Sequence, residues 1–321
     1  MQVSVITPVY NAASFVTRAV ESALQQPETA EVVLIEDGSP DNGLQVCQQL
    51  VAKYDKVRLF RHSNGENRGA GASRNLGMQK SSYEYIAFVD ADNFYLPGRF
   101  SAIKEIFESY PDCEGVYEAI GIHVENEAGL QRWIKSNRQP VDQLVTLTKP
   151  VVPEQLGSVL ISGECGGLTL DGFVLKRSVL DKSGYMAEEL KLHQDTEFII
   201  RCSLVAKLYP GRLNEPVAME GVHGNNRFSA PRSQAQTYKN QMAFWMSLYH
   251  WSKRYSTLNI QSRILNSIIQ YTIGHKYYKK IPLKYFPARL VWAIRFLRLL
   301  KYPEVVFDLL KVRRELRVFF K

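Results

Sequence analysis

The chain has 321 residues, 45% of them hydrophobic and 22% charged, with 20 Gly and 14 Pro. That composition excludes a disordered or low-complexity chain and suits one large domain with an appendage. The formal net charge of +8 is unevenly placed: His275–Lys321 holds 13 Lys/Arg against 3 Asp/Glu, so the remainder of the chain is slightly acidic. Such asymmetry points to contact between the C-terminal segment and an anionic surface. Cys47, Cys113, Cys165 and Cys202 form no C-x-x-C pair, which argues against a zinc knuckle or redox motif and fits free thiols in a reducing compartment. Gln2–Val9 reads as a strand rather than a basic-then-apolar signal segment, and no run of about 18 uncharged apolar residues marks a membrane span. The expectation is a cytoplasmic protein.

In chain order, Val3–Val9, Glu31–Glu36, Val57–Phe60 and Tyr85–Asp90 are Val/Ile-rich and nearly continuous in apolar character, as strands buried on both faces require. Between them, Phe15, Ala19 and Ala23, with Val16, Val20 and Leu24, repeat at helical spacing, and so do Cys47, Leu50, Val51 and Tyr54. Pro97 stands where a first helical turn would begin, ahead of Phe100, Ile103, Phe107 and Tyr110. This alternation predicts an α/β protein with a mostly parallel open sheet, right-handed crossovers and flanking helices. From Glu114 to Val217 short strands and loops are mixed, and Gly163–Gly172, with four glycines, reads as a flexible or tightly turned loop. From Gln234 onward the pattern is helical, which predicts a helical C-terminal extension.

Open parallel sheets bind ligands outside the carboxyl ends of their strands. Here those ends carry Thr7–Asn11, Glu36–Ser39 and Asp90-Ala91-Asp92. Two carboxylates separated by one residue can reach one divalent cation, directly or through water, and hard oxygen ligands suit magnesium or manganese. Such an ion neutralises a diphosphate leaving group; the same D-x-D also serves ordinary turns. Asp37, before Gly38-Ser39, can accept hydrogen bonds from a base or ribose, or can simply shape a turn. Asn67–Gly77 is a poor match to a dinucleotide-binding glycine pattern, because it follows a polar loop and misplaces the third glycine, so an oxidoreductase has little support. It reads instead as a glycine-rich start to a helix, with Arg74 and Asn75 facing a ligand; the alternative for Arg74 is an ion pair with a nearby acid.

The runs V-S-V-I-T-P-V-Y-N, V-V-L-I-E-D-G-S, N-R-G-A-G-A-S-R-N-L-G and Y-I-A-F-V-D-A-D, in this order within residues 1–100, resemble the inverting family 2 glycosyltransferases of the GT-A fold. The resemblance implies a sugar transferase using a nucleotide-diphosphate sugar, with a UDP-sugar as the family expectation. It implies that Pro8, Tyr10 and Asn11 border the nucleobase and ribose, and that Asp37 bonds the base. It further implies that Arg74 helps hold the donor, that Asp90 binds ribose or sugar beside Ala91, and that Asp92 ligates Mn2+ or Mg2+. His193-Gln194-Asp195-Thr196-Glu197-Phe198-Ile199-Ile200-Arg201 is similar to the family's E-D-x-x-x-x-x-R pattern, with Gln194 where an acid is usual. Asp195 is then the catalytic base and Glu197 the fallback; the alternative is an acid favoured in a first helical turn by the dipole. Gly221–Ser229 resembles the family's closing loop, with Glu220 and Gly221 where an Arg is expected. His223 there is the second metal ligand, a diphosphate contact, or a structural histidine.

The implied organisation is a catalytic domain over 1–230, with a nucleotide-binding half (1–112) and an acceptor-binding half (113–230), then a basic helical extension over 231–321. The acceptor class implied is a surface polysaccharide or a lipid-linked saccharide. In the extension, Leu290, Val291, Ile294, Leu297 and Leu300, then Val305, Val306, Leu309, Val312, Leu316, Phe319 and Phe320, mark amphipathic helices with interspersed Lys and Arg. They lie either against the inner face of the cytoplasmic membrane or against the catalytic domain or another subunit, so a homo-oligomer stays open. Nucleic acid is not expected as a partner, since the basic residues alternate with aliphatic ones instead of forming a stacking platform. A non-catalytic nucleotide-sugar-binding assembly protein of the same fold is the competing reading.

Overall fold

The structure is a computed structural model that describes residues 1–136, 139–226, 230, 232–274, 300 and 302–308. Its contacts divide into two units, Met1–Pro231 and Arg232–Lys321.

In the first unit, β1 (Val3–Val9), α1 (Val16–Leu24), β2 (Thr29–Glu36), α2 (Gly43–Lys53), β3 (Val57–Arg61), α3 (Ala70–Lys80) and β4 (Tyr85–Phe88) follow one another in strict alternation. A two-residue strand, β5 (Phe94–Tyr95), and α4 (Ser101–Ser109) lead to β6 (Gly115–Tyr117), β7 (Gly121–Val124) and α5 (Glu127–Lys135). The unit is completed by α6 (Pro153–Ser162), β8 (Phe173–Lys176), α7 (Val179–Ser183), α8 (Gln194–Val205), β9 (Leu208–Pro210) and β10 (Ala218–Val222).

Seven strands form the main sheet in the order β3-β2-β1-β4-β8-β6-β9. The pairs β2–β3, β1–β2, β1–β4 and β6–β9 are parallel, whereas β8 runs antiparallel to both β4 and β6. A smaller sheet, β5-β10-β7, stands beside it. Strand alternation sorts the core into two layers. Val3, Val5 and Val9 of β1 join Val16, Ala19, Val20, Ala23, Cys47 and Ile103 on one face. Ile6 of the same strand joins Met78, Phe88, Leu156, Leu175, Val179 and Phe198 on the other. Helices therefore cover both faces, which is why the central strands are mostly apolar rather than alternating. The buried stripe Val16–Ala19–Val20–Ala23 of α1 is the i, i+3, i+4, i+7 spacing that lays one helix face on a sheet.

The observed boundaries differ from expectation around Pro97. The residue lies in a turn, and α4 begins only at Ser101, because Gly98 adopts φ +72° and Ser101 N–H bonds back to its carbonyl. Beside this turn lies a fully buried ion pair. The Arg99 guanidinium donates to Glu118 Oε2 at 2.6 Å with both side chains at 0% exposure, and sits 5.2 and 5.1 Å from the rings of Tyr95 and Phe100. Arg99 Nε also donates to the Asp171 carbonyl (3.2 Å), so this pair supports the short turn at Leu170–Gly172 that leads into β8.

The second unit comprises α9 (Gln234–Tyr255) and α10 (Leu258–Gly274), with a further helical turn at 303–308. A capping box between Ser233 and Gln236 starts α9. Tyr238 stacks on Tyr271 at 5.6 Å, Thr272 meets the Met242 sulfur, and Tyr249 donates to Asp308. Among the described residues no helix is long and apolar enough to cross a membrane. Most of the basic amphipathic segment, including Leu290, Val291, Ile294, Leu297, Leu309, Val312, Leu316, Phe319 and Phe320, lies outside the described residues.

Removing one member of a dry ion pair strands the other charge in the core. Glu118→Gln is therefore expected to lower unfolding stability by about 3–5 kcal/mol, measured by urea denaturation, and an effect under about 1 kcal/mol contradicts the burial of the pair.

Candidate active site

A cleft of about 600 Å³ opens at the carboxyl ends of β1, β2 and β4 and is lined by Pro8, Tyr10, Asn11, Asp37, Arg74, Asp90, Ala91, Asp92, Asp195 and His223. These ten residues span the chain from β1 to the segment after β10, and each was singled out from sequence.

The floor begins at Asp37. Its carboxylate is 2% exposed and accepts from the Arg68 amide at Oδ1 (2.8 Å) and from the Gly69 amide at Oδ2 (2.9 Å), with His62 Nε2 3.6 Å from Oδ1. Asp37 thus fixes the loop ahead of α3 and lines the cleft, and a carboxylate oxygen that accepts one amide has lone-pair capacity left. Gly38 is required next to it: its φ is +68°, and a Cβ there would stand 2.7 Å from the Gly65 carbonyl oxygen. Tyr10 is 52% exposed at the rim.

Beyond β4 the chain turns through Asp90–Asn93, and this turn is held from many directions. The Asp90 amide donates to Asp171 Oδ1 (3.0 Å), and the Asn93 amide closes back on the Asp90 carbonyl (2.9 Å). The Gly221 amide of β10 donates to Asn93 Oδ1 (2.9 Å). Arg18 of α1 donates to the Asp92 carbonyl (3.3 Å) and to Glu125, with its guanidinium 4.4 Å over the Phe94 ring. The Asp92 carboxylate accepts at Oδ2 from His223 Nε2 (3.1 Å) and from Asn226 Nδ2 (3.1 Å). Phe15 stacks on the His223 ring at 4.6 Å.

His223 Nδ1 accepts from the Asn225 amide at 3.2 Å. That bond assigns the ring proton to Nε2, which therefore donates to Asp92. Among the described residues Asp92 Oδ1 accepts no hydrogen bond, and Asp92 lines the cleft, so a hard carboxylate oxygen is left there that suits a divalent cation. Among the described residues no group of three or more His, Cys, Asp or Glu side chains forms a cage, so further ligands to such an ion would be donor oxygens and water.

Arg74 is 5% exposed and donates through Nη2 to Asp90 Oδ1 at 2.5 Å. Arg74 thus pairs with an acid, and both it and that acid line the cleft. Its Nε–H is buried without a hydrogen-bond partner among the described residues. Burial works against the guanidinium charge, but the carboxylates of Asp90, Asp195 and Asp171 outweigh it and hold the pKa above the ordinary value. Asp195 lies in the first turn of α8, and its Oδ1 accepts from the Thr196 amide (2.8 Å). His193, with φ +65°, bends the chain into that helix.

Two expectations need correction. Glu197 is 1% exposed and locked by Arg201 (Nε to Oε2, 2.9 Å), so it belongs to the core and cannot serve as a fallback base. Asn75 faces the backbone of Met186 rather than the cleft. The cleft lining holds one further acid that the sequence motifs do not mark, Asp171, which is 5% exposed and accepts from the Asp90 amide. Burial first, then the Asp90 charge, pushes its carboxyl up to about 8, against the Asp90 amide, Asn93 and Arg74. Its position follows from topology. It precedes β8, the antiparallel neighbour of β4, so the amino end of one strand lies beside the carboxyl end of the other. The Asp-Gly before the apolar run Phe173-Val174-Leu175 was the available signal.

Residues 4–184 match the family described as Glycosyl transferase family 2. The chain is 29% identical over 304 residues to an uncharacterized glycosyltransferase, alr2836, of Nostoc sp., covering 92% of this chain and 87% of that one. It is 40% identical over 200 residues to the succinoglycan biosynthesis protein ExoU of Rhizobium meliloti, covering 62% of this chain and 56% of that protein. Among solved structures it is similar to S. aureus TarS in complex with UDP-GlcNAc, with a TM-score of 0.59 at 18% identity over 86% of this chain and 82% of that one. It is also similar to the mannosyltransferase PcManGT of Pyrobaculum calidifontis in complex with GDP-Man and Mn2+, with a TM-score of 0.51 at 13% identity over 96% and 87%. The mostly parallel sheet with helices on both faces is the fold these two structures share with it, and the chain belongs to glycosyltransferase family 2 as a transferase of the GT-A fold.

Proposed function

We propose that this glycosyltransferase moves a sugar from a UDP-sugar to an acceptor hydroxyl with inversion at the anomeric carbon, in the synthesis of a surface polysaccharide or lipid-linked glycan. The observation that carries the reading is the convergence of Asp37, Asp92 and Asp195 on one cleft. The UDP-GlcNAc complex of TarS favours a uridine donor, and the name of ExoU favours polysaccharide synthesis.

In this reading Pro8, Tyr10 and Asn11 border the nucleoside, Asp37 takes a base N–H with its remaining lone pairs, and Arg74, Asp90 and Ala91 border the ribose and sugar. Arg74 offers the orphan Nε–H to the donor. Asp92 Oδ1 would hold Mn2+ or Mg2+, an ion that when bound stabilises charge on the diphosphate; the Mn2+ complex of PcManGT favours this assignment. His223 becomes a second ligand only when Asn225 releases Nδ1, because Nε2 must give up its proton to bind a metal; in the arrangement seen it steadies Asp92. Asp195 accepts the proton of the acceptor hydroxyl as its oxygen attacks the anomeric carbon and the bond to the nucleoside diphosphate breaks on the opposite face. Holding both substrates in line supplies much of the rate. We assign catalysis to residues 1–230, with donor binding in 1–112 and acceptor binding in 113–230, and membrane-surface attachment near the acceptor to the basic 231–321 extension.

A panel of nucleotide sugars scored for nucleoside diphosphate release, with and without Mn2+, tests the reading. One UDP-sugar should turn over in a metal-dependent way, and Asp195→Asn should reduce that turnover by about 10²-fold or more with donor affinity kept. Full turnover by Asp195→Asn removes the proposed base.

The buried Asp171 carries its own consequence. With its folded pKa raised, the folded chain keeps a proton that the unfolded chain has lost between about pH 4 and about pH 8, so stability declines as pH rises through that window. Asp171→Asn, which mimics the protonated acid, should therefore gain thermal stability relative to the parent as pH climbs across the window. A melting-temperature difference that stays constant with pH contradicts the raised pKa.

A further inference from the structure

We propose that Asn75 is a positioning residue that sets where Asp195 stands against the donor-binding helix α3; the inference rests on the reading of Asp195 as the base. Asn75 is 3% exposed and lies next to Arg74 on α3. Its Oδ1 accepts from the Met186 amide at 2.8 Å, and its Nδ2 donates to the Met186 carbonyl at 2.9 Å and to Glu188 Oε1 at 3.0 Å. A primary amide presents a donor and an acceptor side by side, so one side chain grips both polar groups of a single residue, as a neighbouring strand would.

The gripped residue belongs to the strap of chain between α7 and α8, which runs from Gly184 to His193 and delivers Asp195 to the cleft. Arg201 of α8 holds the strap at its start, donating to the Ser183 carbonyl and to the Tyr185 carbonyl (2.7 Å). Gln194 donates to the Leu190 carbonyl at its far end. The strap is thus fixed to α8 at both ends and to α3 at Met186. Since Arg74, on the same helix, bonds Asp90 in the cleft lining, the register of α3 against Met186 fixes the separation between the donor side and Asp195. Two adjacent side chains divide the work: Arg74 balances charge in the cleft, and Asn75 ties the helix to the segment that carries the acid. A buried amide of this kind is sensitive to truncation, since its loss strands a backbone N–H and C=O.

The test compares Asn75→Ala and Asn75→Ser with Asp195→Asn in the full chain. Three quantities are measured: turnover of the donor found in the panel, UDP affinity by calorimetry, and amide hydrogen exchange of residues 184–193. The expected result is a turnover loss of about tenfold to a hundredfold, faster exchange across the strap, and UDP affinity within about twofold of the parent. Asn75→Ser, the smaller perturbation, carries the test if Asn75→Ala does not fold. Unchanged turnover in the Asn75 variants, with Asp195→Asn inactive, overturns the inference and leaves the base reading standing. A loss of UDP affinity in step with turnover also overturns it, because the residue would then serve the donor site. Full activity of Asp195→Asn removes the base reading, and this inference with it.

Discussion

The site is governed by the need to keep several carboxylates close together in a partly dry cleft. Asp90, Asp171 and Asp195 all act on one buried guanidinium, that of Arg74, which is the cation at the centre of their mutual repulsion. Coulomb energy between such groups rises steeply as water is excluded, so neither the acids nor the arginine is tolerated alone. The response is local: Asp90 bonds Arg74, burial and the Asp90 charge raise the pKa of the Asp171 carboxyl, and Asp195 stays near the helix start, where the α8 dipole favours an anion.

Geometry does the rest. The turn Asp90–Asn93 is tied to α1 through Arg18, to β10 through Gly221, to the β8 approach through Asp171, and to the loop after β10 through His223 and Asn226. The ties come from three separate parts of the chain, around Arg18, Asp171 and residues 221–226, so the shape of the turn depends on the fold of the first unit. That is how a short peptide such as D-A-D, which elsewhere makes an ordinary turn, comes to hold in a fixed place one carboxylate oxygen with no hydrogen bond among the described residues.

Much of this was legible in the sequence, for a definite reason. Parallel strands buried on both faces are mostly apolar, so Val3–Val9 and the later runs announce themselves, and polar residues at their carboxyl ends then point to the cleft. What escaped lies on contacts that leave no periodic trace. Asp171 enters from the amino end of an antiparallel strand, where the carboxyl-end rule does not look. Asn75 bonds backbone 111 residues away, and a side chain that recognises backbone imposes no residue type on its partner. Gly98 displaced the start of α4 because a positive φ outweighed the preference of Pro97 for a first helical turn. The core role of Glu197 does leave a trace, since Glu197 and Arg201 stand four apart on a helix, the spacing of an ion pair.

A donor-complex structure tests the account most directly. Asp195→Asn, co-crystallised with Mn2+ and the UDP-sugar it no longer consumes, should show the diphosphate beside Asp92 and the anomeric carbon facing position 195. The gap between them should admit one acceptor hydroxyl at about 3–3.5 Å from the carbon. A sugar bound with its anomeric carbon turned away from position 195, or a diphosphate remote from Asp92, would contradict the chemistry assigned to this cleft.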